Sequence, residues 1–209
     1  MRENFRSHLA GTVQPFRHAP SAMKQVAPII LKTPRLLLRP PVPADAAPLE
    51  CYLSDRRIAE TTAAIPHPYP RGGAMDWIRR VEQQWTTGAG ANFTICLRES
   101  GRIVGVISLC GESRDDLKAG YWIGVPHWNK GYATEALHRV LRYAFNHLRL
   151  PRLQARHFPH NPASGRVMLK AGLHFEGVIA GGSSREGVAF DSVCYSVTAA
   201  DWRANLGTL

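Results

Sequence analysis

The chain has 209 residues, 44% of them apolar, and a formal net charge of +10 from 26 basic and 16 acidic residues. That length supports a full hydrophobic core without disulfide staples, and four scattered cysteines (Cys51, Cys96, Cys110, Cys194) with no CxxC pair exclude a disulfide framework or a zinc site of the usual spacing. No run approaches the roughly 18 continuous apolar residues of a membrane span, and the basic excess suits a phosphate-bearing ligand but brings no base-stacking aromatic motif, so specific nucleic-acid binding is not indicated.

Residues 1–28 carry Arg2, Arg6, Arg17 and Lys24 without a sustained apolar run. They read as a disordered extension rather than a secretory signal, and Met23 offers a second start site. A domain over 29–203 and a short tail over 204–209 are expected. With reduced thiols and no signal, so is a cytoplasmic location.

Taken in order, RLLLRP (35–40) predicts a first strand closed by Pro40 and Pro41. Pro43 and Asp45 open a helix reaching about 53. AIPHPYPRGG (64–73) is too dense in Pro and Gly for anything but a loop. Trp77, Ile78, Val81 and Trp85 then recur at helical spacing. NFTICL (92–97) and IVGVISLC (103–110) flank ESGR, a hairpin signal. Tyr121 to Val125 forms another strand. After it, Ala133, Leu137, Val140, Leu141, Ala144 and Leu148 make the apolar stripe of a helix whose outer face carries Arg139, Arg142 and Arg149. A strand (153–158), a helix (162–171), a strand (173–180), a loop GGSSREG (181–187) and a strand (188–198) complete the chain. Hairpins first and alternating strands and helices later predict a mixed α/β fold, one sheet with helices on both faces.

Two segments carry chemistry. In AGYWIGVPHWNKGYATEA (119–136), Pro126 ends a strand and Gly131 permits a tight turn at a helix start. The N–H groups of Asn129, Lys130, Gly131, Tyr132, Ala133 and Thr134 would converge there, with the charge of Lys130, where a pyrophosphate can rest. A plain strand-to-helix turn is the alternative; neither GxxxxGK[ST] nor GxGxxG is present. In HNPASGRVMLKAGLHFEG (160–177), Asn161 caps a helix, Pro162 suits its first position and Gly172 its end. Ser164, Val167, Met168 and Ala171 share one face, so the Ser164 hydroxyl points toward the sheet, either into a site or back to a helical carbonyl.

WIGVPHWNKGYATEAL followed by NPASGRVMLKAGL resembles the acetyl-CoA-binding core of the GNAT superfamily of N-acetyltransferases. LKTPRLLLRPPVPADAAPL (31–49), AIPHPYP and FDSVCYSV with Trp202 are similar to the branch typified by bacterial ribosomal-protein-alanine N-acetyltransferases. The likeness runs from about Leu31 to Trp202. It implies a largely antiparallel sheet with two parallel strands, 120–125 and 153–158, splayed into a V. The pantetheine arm of acetyl-CoA would pair with the backbone of Ile123, Gly124 and Val125, and the diphosphate would rest on the Asn129–Thr134 amides. The N–H near Val125 would stabilise the oxyanion, an effect worth roughly 3–4 kcal/mol per donor in other enzymes. The branch places a serine at 164, implying Ser164 as general acid, with Asn161 orienting cofactor or water. The broader family's tyrosine position is Met168 here.

The family's glutamate before the YWIG strand is Lys118 here, and the acidic residue of the later loop falls at Ser183. Deprotonation is left to Glu186, Asp115, Asp116 or a water chain. His157 and His160 read as surface or loop histidines with no third metal ligand, and Cys110 and Cys194 as buried structural thiols. The acceptor is an amine, from a protein N-terminus to an aminoglycoside or polyamine, with Tyr69 and Trp77 lining its pocket. A non-catalytic acyl-CoA-binding module and an RNA- or ribosome-associated binder are the other classes, and monomer and homodimer are both open.

Overall fold

The computed structural model describes residues 29–87, 90–111, 117–185 and 187–206. Strands β1 (Leu31–Lys32) and β2 (Leu36–Arg39) form a short antiparallel pair, and a 3-10 turn (Pro43–Asp45) leads into α1 (Ala46–Leu53). A further helix, α2 (Arg56–Glu60), follows; Asp55 opens it by accepting the Arg57 N–H at 3.0 Å. Sequence patterning missed it because five residues show no helical period. Next come α3 (Gly73–Thr87), β3 (Gly90–Leu97), β4 (Ile103–Cys110), β5 (Lys118–Ile123), α4 (Tyr132–Asn146), β6 (Arg152–His157), α5 (Pro162–Lys170), β7 (His174–Arg185), β8 (Val188–Thr198) and α6 (Ala199–Leu206).

All eight strands join one sheet in the order β1-β2-β3-β4-β5-β6-β8-β7. β3 and β4 are almost continuously buried, as strands covered on both faces must be. On one face α1, α2 and α3 pack Leu49, Leu53, Ile58 and Ile78 against Ile103 and Val106. On the other, α4 and α5 bury Leu137, Val140, Leu141, Ala144 and Met168 with Phe93, Ile107 and Leu153. The α4 stripe is broader than expected, adding Ala136, Tyr143 and Phe145.

The sequence GGSSREG is not a loop. β7 runs through it to Arg185, with Ser183 opposite Phe190 and Arg185 opposite Val188. A register irregularity between Ile179 and Ser183 absorbs the glycines, which mark a bulge in a long hairpin. Residues 1–28, 207–209, Asp115, Asp116 and Glu186 lie outside the described residues.

Among the described residues only β5 and β6 run parallel, and only Lys118↔Gln154 and Ala119↔Ala155 pair them. Beyond, β5 stays with β4, as far as Ile123 opposite Gly105 and the Gly124 N–H on Val104 O at 2.8 Å. β6 stays with β8, as far as His157 opposite Val193. The sheet therefore splits between them.

On the first face the chain is anchored by Asp45, 3% exposed, which accepts two 2.7 Å hydrogen bonds from the Arg39 guanidinium and one each from Val42 N–H and Thr94 Oγ1. Burial pushes its carboxyl up, but these donors outweigh that and hold it below the ordinary value. Asp45→Ala, which strands Arg39, should destabilise the fold by about 3 kcal/mol at pH 7. Because the folded value is depressed, the contribution is complete above about pH 4, the unfolded value, and fades as pH falls through the folded one. Urea unfolding of both proteins at pH 7 and pH 3 should show the difference shrinking in acid.

Candidate active site

The split gives β5 a free backbone edge. Since the Gly124 N–H bonds Val104, pleat alternation turns the backbone groups of Tyr121 and Ile123 toward the gap. The Ile123 carbonyl already accepts the Trp128 indole N–H at 2.6 Å. A cavity of about 880 Å³ follows the gap. Trp128, Asn129, Gly131, Tyr132, Ala133 and Thr134 line one part; Ile123, Tyr121, His157, Asn161 and Ser164 line the split itself; Ile58, Thr61–Ile65, Trp77, Arg80 and Gln84 line the opposite wall.

The turn between β5 and α4 has the backbone that anion binding needs. Asn129 (φ 60°) and Gly131 (φ 78°) are both left-handed, and α4 begins directly after, so its first N–H groups face outward. Arg35 braces the turn: Nη1 donates to Lys130 O at 2.9 Å, Nε to Glu135 at 2.6 Å, and the guanidinium lies 4.8 Å from the Tyr132 ring centre. Thr33 Oγ1 and the Arg35 N–H also donate to Glu135, at 2.6 and 3.0 Å. Burial acts against the Glu135 charge, yet these donors lower its pKa overall. A carboxylate in the first turn of α4 is thus neutralised from behind, and the helix start keeps its positive character. The residues fit a long ligand bearing a diphosphate at one end.

Among the other expected residues, Gly124, Val125, Lys130 and Tyr69 do not line the cavity. A Cβ on Gly124 would fall 2.6 Å from the Tyr52 ring, so glycine there lets α1 close on the strand end. Val125 and Tyr69 pack into the second apolar cluster, and Lys130 presents its carbonyl to Arg35. Tyr52 O–H donates to Ile103 O at 3.1 Å and lies 3.0 Å from His127 Nε2. Burial, with Lys130 and Arg102 nearby, pushes the His127 pKa down, so its ring is neutral at pH 7.

Asn161 caps α5 through Oδ1, which accepts the Ser164 N–H at 3.3 Å, and its Nδ2 donates to Thr61 O at 3.3 Å. The Ser164 hydroxyl does not turn back to its own helix. It pairs with Tyr121 O–H at 2.9 Å, a partner on β5 that no local pattern announces.

The expectations for His157 and for the two thiols need correction, while His160 is an exposed loop residue as expected. His157 is buried, because alternate residues of β6 (Leu153, Ala155, His157) face the core; its Nδ1–H donates to Phe158 O at 2.7 Å and its ring stacks on Tyr195. His160 is exposed, but its Nε2–H donates to Glu60 O at 2.8 Å, and Arg185 Nη1 reaches Ala59 O at 2.6 Å. With Asn161 on Thr61, three successive carbonyls at the end of α2 are held from the far side of the cleft. Cys110 is exposed at the cavity edge and Cys194 is half-buried. Lys118 begins β5 opposite Cys110 and Gln154. Among the described residues no carboxylate lines the cavity, no cluster of three His, Cys, Asp or Glu could hold a metal, and no helix is long and apolar enough to cross a membrane.

Residues 35–174 match the family profile of the acetyltransferase (GNAT) domain. The chain belongs to the GNAT acetyltransferase family. It is 30% identical over 173 residues to the uncharacterized N-acetyltransferase YoaA of Bacillus subtilis, covering 80% of this chain and 96% of that one. It is 28% identical over 186 residues to the ribosomal protein uS5-alanine N-acetyltransferase of Escherichia coli, covering 85% and 94%. A GNAT-family acetyltransferase structure from Bacillus anthracis superimposes with a TM-score of 0.72 at 25% identity, covering 82% of this chain and 99% of that one. This GNAT enzyme is an N-acetyltransferase that uses acetyl-CoA.

A left-handed alanine costs roughly 1–2 kcal/mol, so Gly131→Ala should weaken CoA binding by about five- to thirtyfold as the turn relaxes and its amides diverge. Calorimetry with CoA measures this; unchanged affinity would show that the turn amides do not hold the diphosphate.

Proposed function

We propose that this enzyme acetylates the α-amino group of a protein or peptide N-terminus. The observation that carries the reading is the acceptor-side wall: Ile58, Thr61, Thr62, Ile65, Trp77 and Arg80, apolar or neutral apart from one cation, with no carboxylate among the described lining residues. Polyamines and aminoglycosides carry several positive charges and call for acidic walls. An α-amine, with a pKa near 8, is partly neutral at physiological pH and needs no strong base to become a nucleophile. Similarity to an enzyme named for a ribosomal-protein alanine supports the same class.

Acetyl-CoA supplies the activated acetyl group. The amides of Asn129 and of Gly131 to Thr134, which line the cavity, hold its diphosphate, and the gap-facing backbone of Ile123 aligns the pantetheine arm. Val125 packs its side chain into the second apolar cluster, so an oxyanion role for its N–H, two residues past the gap-facing Ile123, is the part of this reading carried by family resemblance alone. Ser164 Oγ–H gives a proton to the departing sulfur, and Asn161 fixes the Ser164 backbone. The proton lost by the amine passes to water through the open mouth.

Release of CoA should be fastest with a peptide bearing a free N-terminal amine, and slow with the same peptide N-terminally blocked and carrying an internal lysine, or with spermidine. Preference for lysine or polyamine would overturn the acceptor assignment. Ser164→Ala should lower kcat by about a hundredfold with acetyl-CoA affinity unchanged; full turnover would remove Ser164 from the mechanism.

A further inference from the structure

We infer that Tyr121 is a positioning residue for acetyl transfer: its phenol, bonded to Ser164 across the split in the sheet, sets the direction in which the Ser164 hydroxyl proton points. The inference rests on the reading of Ser164 as the proton donor.

Tyr121 lies two residues past Ala119, the last β5 residue paired with β6, and its side chain turns to the α5 side like those of Ala119 and Ile123. Ser164 stands in the first turn of α5, just after β6. Their hydrogen bond therefore joins the two sides of the gap where the strands no longer do. The phenol oxygen is 2.9 Å from Ser164 Oγ and 3.1 Å from Ser164 O. The Ser164 N–H is fixed by the carbonyl and side-chain oxygens of Asn161, at 3.1 and 3.3 Å, so the hydroxyl rotor is the only freedom left at that residue's polar groups.

A phenol has one proton, which allows two arrangements. If Tyr121 donates to the Ser164 carbonyl, Ser164 Oγ–H donates to the phenol oxygen and its proton points away from the cavity. If Tyr121 donates to Ser164 Oγ, the serine proton is free to turn into the cavity that both residues line. Only the second arrangement presents a proton to a leaving group. In it the phenol O–H also steadies the negative charge that grows on Oγ as that proton departs.

The balance closes without oxidation of any group. The new N–C bond forms as the S–C bond breaks. The sulfur takes the Ser164 proton, and Ser164 regains one from the pool fed by the amine. Tyr121 ends as it began: burial raises its pKa well above the usual phenol value, so it stays protonated and acts as a hydrogen-bond donor, not as an acid.

Tyr121→Phe keeps the ring and removes only the hydroxyl. Wild type, Y121F, S164A and the double variant are compared for kcat, KM and acetyl-CoA affinity. Loss of one hydrogen bond to a developing charge should lower kcat about tenfold in Y121F with affinity and KM nearly unchanged, and Y121F should change nothing further once Ser164 is alanine. Wild-type kcat in Y121F, or an equal fall in both backgrounds, overturns the role of Tyr121 while S164A still reports on Ser164. Full turnover in S164A overturns the underlying reading and the inference with it. Should Y121F fold poorly, 3-fluorotyrosine at 121 keeps shape and hydroxyl; it should retain turnover, and a tenfold or larger fall in kcat would overturn the donor role.

Discussion

Everything at the site depends on one break in hydrogen bonding. β5 and β6 share two registered pairs and then separate, each committed to a different neighbour: β5 to β4, β6 to β8. A parallel pair that stops this early leaves backbone donors and acceptors facing a gap, which would be costly in a sealed interior. Here they face a cavity of about 880 Å³. The gap is stable because both outer ladders are antiparallel and extend further than the inner pair.

The second element is electrostatic. The α4 start, where the proposed diphosphate would rest, has an acid, Glu135, in its own first turn. Left unpaired, that carboxylate would repel a diphosphate. Arg35 and Thr33 hold it from the β1–β2 side, and Arg35 also ties down Lys130 O and covers Tyr132. The same guanidinium thus neutralises the acid and sets the turn. It reaches there from the start of the domain, about a hundred residues away, which ties the first strands and the turn before α4 into one structural unit.

The two motif segments were legible because their chemistry is local: Gly131 in a left-handed turn, Asn161 capping a helix, an apolar stripe on α4. Helices on both faces and the mixed sheet followed from the order of hairpins and alternating elements. What stayed hidden depends on contacts far apart in the chain. Tyr121 read as an ordinary strand residue, and Ser164 as either a general acid or a self-bonding serine; their meeting across the gap was not legible. His157 passed for a loop residue because the phase of β6 could not be fixed without its partners. The glycines of GGSSREG signalled a loop, yet pairing with β8 converts them into a bulge. Tyr69 sits in a Pro-rich loop as expected but turns into the apolar cluster of α3 rather than the cavity.

The clasp at the end of α2 has a consequence for how such an enzyme changes over evolutionary time. Arg185, His160 and Asn161 grip the carbonyl oxygens of Ala59, Glu60 and Thr61, groups that every amino acid supplies alike. The side chains of Thr61 to Ala64, none of them buried, can then change without loosening the tether. The lining of that wall can vary by ordinary substitution while the distance between it and the helix bearing Ser164 is inherited unchanged.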